Sequence, residues 1–311
     1  MRQRTDKENA ISRRSRTVLL DARPNAPALM LAARRERGAM LLLFAPAFVL
    51  LAALVLLPVG WLFYLSFVEG ANYSLAHYER MLTYSSYATI LWVTLKISII
   101  VSVICVLVGY PVAYLLAQLP RAVAVLSLSL VIVPFWTSIL VRTYAWLVLL
   151  GANGPISPLL NRLGILSDPL GLLYNQVGTT IGMTHIMLPF FILPLYAVLR
   201  SFDWSLMQAA SSLGAPPISA FLRVFLPLSL PGVWAGAVLV FIQALGFYIT
   251  PALLGGGKVT FVSMKIASNV QEYFDWGAAS AFGVVLLLSA LLILAIASRF
   301  IGLERALGVS R

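Results

Sequence analysis

Six long apolar stretches run through this sequence, and they constrain its fold more than any other feature. A helix rises about 1.5 Å per residue, so about 20 apolar residues cross the hydrocarbon core of a bilayer. Hydrophobic residues make up 60% of the chain and charged residues only 11%, a balance typical of integral membrane proteins. The stretches that are long enough cover about 40–67, 90–116, 123–150, 177–199, 233–254 and 279–301. The sequence therefore predicts an all-α membrane protein in which six transmembrane helices occupy residues 39–305.

Basic residues are concentrated at the amino terminus. The net charge is +11, and ten of the 22 Lys and Arg residues precede residue 38. With both termini inside, the cytoplasmic segments hold sixteen of these 22 residues, and the spans and outer segments hold six. This asymmetry follows the positive-inside rule and predicts cytoplasmic N- and C-termini. The charge therefore indicates topology and contact with membrane lipid rather than a nucleic-acid partner.

The segments that flank the spans carry little patterning. Residues 1–38 lack sustained apolar periodicity and contain Pro24 and Pro27, which predicts a basic, mostly disordered cytoplasmic tail. Residues 306–311 are expected to form a second, short cytoplasmic tail. The first span is too long for a signal peptide, so we expect it to stay in the mature protein. Cys105, the only cysteine, lies within the second stretch, which indicates a buried structural thiol and excludes an intrachain disulfide.

The connection between the fourth and fifth spans, residues 200–232, is the only long one on the predicted cytoplasmic side. Its first half predicts a short helix over 204–213, because adjacent alanines favour a helix and Asp203 can act as its N-cap. Gly214 suits the left-handed position that follows the last turn. An ordered segment of this length needs a purpose.

The second half of this connection predicts a helix that begins at Pro216 or Pro217, since proline suits the first helical turn. Pro231 and Gly232 are expected to close it. The apolar residues that share one face of this helix are Phe221, Val224, Phe225 and Leu228. Two short helices set at an angle suit docking on a partner protein, and spacing alone leaves an interfacial or re-entrant helix as the alternative.

A motif in this connection carries a family resemblance. Its residues are, in order, Gln208, Ala209, Ala210, Gly214, Val224, Leu226 and Pro227. The pattern resembles the EAA loop of binding-protein-dependent ABC transporter permeases: Glu-Ala-Ala, three residues, Gly, nine residues, Ile, any residue, Leu-Pro. Gln208 replaces the glutamate, which keeps a hydrogen-bonding side chain but removes a charge, and Val224 replaces the isoleucine. The resemblance implies a coupling helix that docks on a cytoplasmic ATPase through Gln208, Ala209, Ala210, Gly214, Leu226 and Pro227.

Three flanking stretches, residues 109–116, 134–142 and 244–256, are similar to the spermidine/putrescine type of permease. The resemblance covers about residues 40–305, with a family core at about 88–300. It implies a type I ABC importer permease with a methionine-importer-like domain in a bacterial inner membrane. The implied partners are a second permease subunit in a heterodimer, a dimer of ABC ATPase subunits and a soluble substrate-binding protein. No cofactor is implied.

Polar groups inside the spans are the candidates for a translocation path, because such groups are costly in lipid and usually face a cavity or a partner. The candidates that we place on the path are Trp136, Thr137, Arg142, Gln243 and Tyr248. Lys96 and Arg142 could equally reach the outer interface with their long side chains. His185 has no neighbouring histidine or acid, which indicates an interior hydrogen-bonded histidine rather than a metal ligand. Gln243 could equally serve helix packing.

The sequence argues against an enzyme. It has no His-Glu-x-x-His, no Gly-x-Ser-x-Gly and no paired acids within spans, so we predict no catalytic or metal site. The run from Gly255 to Lys258 lacks the first Gly and the Ser or Thr of a phosphate loop, and we read it as an outer turn. The predicted function is the permease subunit of an ATP-driven importer for a small solute such as spermidine, putrescine or a related compound. A secondary transporter or channel without an ATPase is the alternative, although no span carries an ion-coupling acid.

Overall fold

The computed structural model describes residues 26–70, 72–163 and 172–301. The described elements are, in chain order, α1 (Ala26–Ser66), β1 (Val68–Glu69), β2 (Asn72–Tyr73), α2 (Ala76–Thr83), α3 (Ser85–Gln118), α4 (Arg121–Ile132), α5 (Ile139–Leu150), α6 (Ile156–Arg162), α7 (Gln176–Arg200), α8 (Ser205–Ser212), α9 (Pro217–Ala220), α10 (Leu226–Leu245), α11 (Ile249–Leu254), α12 (Val262–Gln271) and α13 (Trp276–Ile301). The chain divides into two compact units, one up to Trp61 and one from Leu62 onward.

The first unit consists, in its described part, of α1. The stretch of α1 that is apolar enough to cross a membrane is Leu42–Ser66, in agreement with the predicted first span. The helix begins at Ala26, so the prediction of a disordered tail is wrong for residues 26–38. These residues are rich in Ala, Leu and Arg, which favour helices, and Pro27 lies in the first turn, where no intrahelical bond is lost. The rest of the predicted tail, residues 1–25, and the tail at 306–311 lie outside the described residues.

Three spans, α3, α7 and α10, form the core of the second unit. The fourth span, α7, has nearly the bounds that the sequence predicts, and the second span, α3, extends a few residues further at both ends. Cys105 is buried in this core, as predicted. The largest apolar side chains that are fully buried between these three helices include Ile97, Met183, Met187, Phe191, Ile192, Leu195 and Leu199.

The third span is a bent pair of helices rather than the continuous helix that the sequence predicts over 123–150. A 3₁₀ turn, Val133–Trp136, extends α4, and α5 then leaves at an angle of 97° to this first half. The N–H and Oγ1 of Thr137 both donate to the carbonyl oxygen of Pro134, at 3.2 and 2.7 Å, which closes the first half. With the bent pair counted as one, the described residues contain six candidate spans.

The fifth span begins and ends earlier than predicted over 233–254. One continuous helix runs from Pro217 to Leu245 through a π-helical turn at Phe221–Phe225. The N–H of Leu226 bonds the carbonyl of Phe221, five residues back. The prediction that Pro231 and Gly232 close a short second helix is therefore wrong, because packing against neighbouring spans supports a proline within a membrane helix.

The π-helical turn also changes which apolar residues share a face. Phe225 is fully buried, whereas Leu228, predicted on the same face, is 48% exposed. A π-helical turn adds a residue to one turn and so rotates the following residues relative to an α-helix. After Leu245 the helix is interrupted at residues 246–248, and α11 follows it.

Short strands and helices flank the long helices of the second unit. Strands β1 and β2 pair antiparallel with Val68 opposite Tyr73, and α2 follows them. Gly256 and Gly257 adopt φ angles of 55° and 75° in the turn before α12, as expected for a glycine turn. Met81 of α2, Val262 of α12 and Phe282 of α13 bury one another in a second apolar cluster.

Glycines let the three core spans approach closely. The side chain of Phe191 in α7 is fully buried between Gly109 of α3 and Gly236 of α10. A Cβ at residue 236 would lie 2.8 Å from the Phe191 ring and 2.9 Å from the Phe191 carbonyl oxygen. Small residues of this kind are what membrane helices use to pack, since apolar side chains gain little from leaving lipid.

We therefore expect Gly236→Ala to destabilise the protein by about 1–3 kcal/mol, because the Phe191 carbonyl cannot move aside without shifting α7. The matched control is Gly283→Ala in α13, where an added Cβ meets nothing within 4 Å. This control should leave the melting temperature unchanged or raise it, since alanine is the better helix former. Thermal unfolding of the full chain in one detergent measures both. Equal melting temperatures for the two variants would contradict the packing argument.

Candidate coupling segment and translocation path

Helix α8 and the turn that follows it form an exposed projection between α7 and the long helix of the fifth span, Pro217–Leu245. The N–H groups of Leu213, Gly214 and Ala215 bond carbonyls of the last turn of α8, at 3.0 Å each. Gly214 has a φ of +82°, the left-handed conformation that the sequence predicts and that favours glycine. Pro217 then opens α9 in its first turn, also as predicted.

The start of α8 differs by one residue from the prediction. Trp204 is the residue that flanks the helix, not Asp203. The Asp203 carboxylate still caps the first turn, because its Oδ1 accepts a hydrogen bond from the N–H of Ser205 at 2.9 Å. The side chain of Ser205, followed by its backbone N–H, holds the pKa of Asp203 below its ordinary value. The capping carboxylate therefore stays ionised at neutral pH.

The motif residues on this projection present a low, solvent-facing surface. Gln208, Ala209 and Gly214 are exposed and Ala210 is partly buried. Leu226 and Pro227 lie elsewhere, at the start of α10, where Leu226 is partly buried and Pro227 exposed. The structure thus groups the first four residues on one short segment and separates the last two from them.

An aromatic cluster anchors this projection to the core spans. Phe225 is fully buried at its centre. The Phe225 ring stacks on Trp204 at 5.5 Å and on Phe221 at 5.4 Å, and meets Phe202 edge-on at 4.9 Å. Tyr114 of α3 contacts Phe225 at 5.1 Å. Interlocked rings at these distances gain energy beyond their buried area, so the base of the projection is stiff.

Polar bonds reinforce the same anchor. Nη1 of Arg200, at the end of α7, donates to the carbonyls of Ala117 and Leu119 at 3.0 and 3.3 Å, which satisfies free carbonyls at the end of α3. The hydroxyls of Tyr110 in α3 and Ser229 in α10 are 3.0 Å apart. The projection is thus tied to the second, fourth and fifth spans.

Sequence reasoning gave no role to the aromatic cluster or to Arg200. A signal was present, since Tyr110 and Tyr114, like Phe221 and Phe225, are four residues apart and so share a helix face. The signal does not reveal that these two pairs meet, because α3 and the helix of the fifth span lie far apart in the chain.

The predicted path residues fall at or near the two span breaks. Trp136 and Thr137 lie at the bend of the third span, where Trp136 is 88% exposed. Tyr248 lies in the break of the fifth span and is 42% exposed. Gln243 is exposed near the end of α10. Non-helical backbone at membrane depth is tolerated only where it is buried in protein or lines a water-filled cavity.

The helices that follow the two breaks, α5 and α11, pack together against α7. The buried hydroxyls of Thr143 in α5 and Thr250 in α11 are 3.0 Å apart. Next to Thr143, Arg142 is partly buried and its Nε has no hydrogen-bond partner. The structure therefore joins the two helices that leave the breaks.

Arg142 also interacts electrostatically with His185 of α7. Nε1 of Trp146 donates to Nδ1 of His185 at 3.2 Å, so His185 is hydrogen-bonded, as predicted, but exposed rather than interior. Lys96 lies apart from this group and donates to Gln176 at 3.3 Å. In the described part of the chain, His, Cys, Asp and Glu side chains form no group of three that could hold a metal ion.

Known proteins match this chain in sequence and in fold. The model of the family described as binding-protein-dependent transport system inner membrane component matches residues 109–302. The spermidine/putrescine transport system permease protein PotB of Haemophilus influenzae is 36% identical over 252 residues, which cover 79% of this chain and 86% of that protein.

Two solved structures share the fold at 15% sequence identity. One is a bacterial ABC transporter involved in the import of the acidic polysaccharide alginate, with a TM-score of 0.68 over 88% of this chain and 98% of that one. The other is a bacterial alginate ABC transporter in complex with an alginate pentasaccharide-bound periplasmic protein, with a TM-score of 0.66 over 88% and 96%. Both are similar to this chain in architecture.

All six residues predicted to dock on an ATPase lie within the matched region, residues 109–302, together with α8, the Gly214 turn, the aromatic cluster and both span breaks. The predicted fold class, the all-α fold of an ABC importer permease, is confirmed by the family match together with the fold neighbours. The chain is a multi-pass membrane protein that belongs to the family of binding-protein-dependent transport system inner membrane components, the permease subunits of ABC importers.

Proposed function

We propose that this permease carries a polyamine of the spermidine or putrescine class across the membrane and is driven by a separate ATPase that docks on α8. The observation that carries the coupling role is the exposed surface of Gln208 and the small residues Ala209 and Gly214, held on the aromatic cluster around Phe225. Adjacent alanines let another protein's backbone approach closely. Gln208 offers a neutral hydrogen-bonding group where the family motif has an acid.

Movement of the docked segment would pass to the spans through the aromatic cluster. Phe225 links α8 to α3 through Tyr114 and stands at the start of the fifth span. The Arg200 bonds connect the end of α7 to the end of α3. A displacement of α8 would therefore tilt the second, fourth and fifth spans as a rigid group, which is the kind of motion that alternates access between two sides. Leu226 and Pro227 would take part as the first turn after this linkage.

The translocation path is proposed to follow the two span breaks. Trp136 and Thr137 at one break, and Tyr248 with nearby Gln243 at the other, supply polar and aromatic groups at or next to positions where the α-helix is interrupted. Arg142 lies one helix turn beyond the first break. A second permease subunit, in a heterodimer, would complete the walls of this path.

The cargo assignment rests on the PotB relative, which is named for spermidine and putrescine transport. Exposed aromatic faces at the two breaks suit an ammonium group, which is attracted to the face of a ring. None of the eleven acids in the sequence lies in the core of a span. We therefore infer that the carboxylates that a polyamine needs come from the second permease subunit or the soluble binding protein.

The orientation that supports this function places both termini and α8 in the cytoplasm. Arg121 begins α4, Arg200 ends α7 and Arg223 lies in the π-helical turn before α10, so all three lie in or next to the segments that connect to α8 or follow α3. The positive-inside rule favours the cytoplasm for such residues. A soluble binding protein would then deliver the cargo at the opposite end, in the periplasm. Cysteine labelling of the single variants Ser212→Cys and Lys258→Cys, both at exposed positions, tests the two sides directly.

The proposal is tested by reconstituting the chain in proteoliposomes with its second permease, its ATPase and its binding protein. We expect uptake of radiolabelled putrescine or spermidine that requires ATP on the side of the membrane where the ATPase docks. Uptake of another solute class instead would overturn the cargo. Uptake without ATP or the ATPase would favour a secondary transporter. Secondary transporters also contain interrupted spans, so the two span breaks by themselves agree with that alternative.

We expect Gly214→Val to reduce coupled transport by at least about tenfold, because a β-branched residue at a φ of +82° is strained and would reorient α8. The matched control is Gly214→Asn, since asparagine tolerates the left-handed conformation. Transport and cargo-stimulated ATP hydrolysis are measured on the same reconstituted complex. Equal coupling in the two variants would show that the turn geometry is not needed. Gln208→Glu, which restores the motif acid, should be tolerated.

We expect Tyr248→Leu to raise the KM for putrescine by about threefold or more, whereas Tyr248→Phe should leave it near the wild-type value. The reason is that phenylalanine keeps a ring face for an ammonium group and leucine does not, a difference of about 0.5–2 kcal/mol. Uptake kinetics in the proteoliposomes measure both. Equal KM values for Phe and Leu would remove Tyr248 from the path.

A further inference from the structure

An apolar groove of about 290 Å³ runs along the surface of the second unit between α3 and α7. Side chains within residues 96–104 of α3 and 176–181 of α7 line it. The two helices run in the same direction, because Lys96 meets Gln176 near one end of the pair and the Ala117 carbonyl meets Arg200 at the other. Neither the coupling segment nor the residues at the span breaks line this groove.

Lys96, at one end of the groove, lies at the depth of a lipid headgroup. It is about 33 Å along α3 from Gln118, at about 1.5 Å per residue. Gln118 lies between the two residues whose carbonyls Arg200 binds. The hydrocarbon core of a bilayer is about 30 Å thick. With the Arg200 end of α3 at one interface, Lys96 therefore reaches the other interface, in the leaflet opposite α8.

The groove that continues from Lys96 has the length and the polarity that suit one acyl chain. It reaches Ile104 after about 12 Å of helix, close to the roughly 15 Å that one leaflet contributes to the hydrocarbon core. Ile100 and Val177 in its walls are 36% and 53% exposed. The Thr180 hydroxyl donates within α7, at 2.7 Å, so its proton is not offered to the groove. An apolar chain can therefore lie against these walls.

The polar end of the groove carries positive charge. Lys96 is exposed and is the only charged residue of α3, and neither α3 nor α7 contains an acidic residue. In the part of the chain that the structure describes, Lys96 forms no ion pair. Its Nζ donates to Oε1 of Gln176 at 3.3 Å. The amide Nε2 of Gln176 is thus a second donor at the same end of the groove.

We propose that this groove binds an anionic phospholipid of the leaflet opposite α8, with the phosphate on Lys96 and Gln176 and one acyl chain along the isoleucines. Phosphate oxygens accept hydrogen bonds from both an ammonium and an amide. A zwitterionic phospholipid would bring a second ammonium close to Lys96, where α3 and α7 offer no carboxylate. The net charge of the headgroup therefore decides the preference.

A second apolar groove serves as an internal comparison. It measures about 310 Å³, lies between α3 and α10, and has no charged residue in its walls. Without a cation at either end, it gives a phosphate no partner. We expect this second groove to show no preference among headgroups.

Photolabelling of the full chain in mixed detergent–lipid micelles tests the site. The probe is a phosphatidylglycerol with a photoreactive group on one acyl chain, and unlabelled phosphatidylglycerol or phosphatidylethanolamine with the same chains competes with it. We expect label on residues 96–104 and 176–181, and about fivefold or more stronger competition by phosphatidylglycerol, the preference that one basic side chain near a lipid surface supplies. Equal competition would overturn the anionic lipid. Absence of label from these residues would overturn the site.

Variants assign the preference to Lys96. Lys96→Gln should abolish it, whereas Lys96→Arg should retain it, because arginine keeps the charge. The matched control is Lys258→Gln, which removes an exposed lysine outside the groove and should leave the preference unchanged. Circular dichroism checks that each variant folds. A preference that persists in folded Lys96→Gln would contradict the assignment.

A steric variant decides the outcome if Lys96→Gln does not fold. Ile100→Trp fills the groove and should reduce its labelling about fivefold or more, by analogy with the loss of one favourable contact of that size. The matched control is Val103→Trp, a 49% exposed position on the same helix that lines the second groove instead. Equal labelling of the first groove in these two variants would overturn the site.

A second permease subunit is the competing occupant of this groove. The labelling is therefore repeated on the full chain assembled with its second permease. We expect the label on residues 96–104 and 176–181 to persist in the assembly. Its loss on assembly would show that protein rather than lipid covers the groove, and would overturn the proposal.

Discussion

The close packing of three spans around Phe191 is the constraint on which the rest of the second unit depends. Gly109 and Gly236 leave space for this ring between α3, α7 and α10. Because lipid is as apolar as a helix surface, such contacts rather than a hydrophobic driving force hold membrane helices together. The three spans can therefore act as one rigid frame. Along α3 this frame reaches from Tyr87, which contacts Phe282 of the second apolar cluster, to Tyr114 at the aromatic cluster, about 40 Å at 1.5 Å per residue.

The frame is stiff at one end, whereas helices that adjoin it are interrupted. The rings around Phe225 and the Arg200 bonds tie α8 to all three core spans. In contrast, the third and fifth spans break at residues 137–138 and 246–248. Thr137 satisfies the Pro134 carbonyl at the first break, and Ser263 donates to the Phe247 carbonyl at the second, at 2.7 Å. Side chains thus supply the hydrogen bonds that lipid cannot, which lets polar groups sit at membrane depth.

Local sequence patterns predicted the features that depend on neighbouring residues. Apolar stretches of sufficient length predicted the bounds of α3 and α7 to within a few residues. Gly214 predicted the turn after α8, and the Pro216-Pro217 pair predicted the start of α9. These predictions succeed because helix length, left-handed backbone and proline geometry are properties of a few adjacent residues. The family motif could also be recognised from the sequence, since its residues lie within a segment of 20 residues.

The sequence alone therefore determined a six-span membrane protein and its family, through the loop motif that begins at Gln208, whereas tertiary structure decided how the spans are interrupted and joined. Hydropathy could not distinguish the bent third span from a straight one, because residues on both sides of the bend are equally apolar. Nor could it show that Pro231 stays helical or that the fifth span ends at Leu245. Those outcomes depend on which distant side chains and backbones meet, as Phe191 meets Gly236 and His77 meets Gly277. Contacts between residues far apart in the chain leave no periodic trace in the sequence.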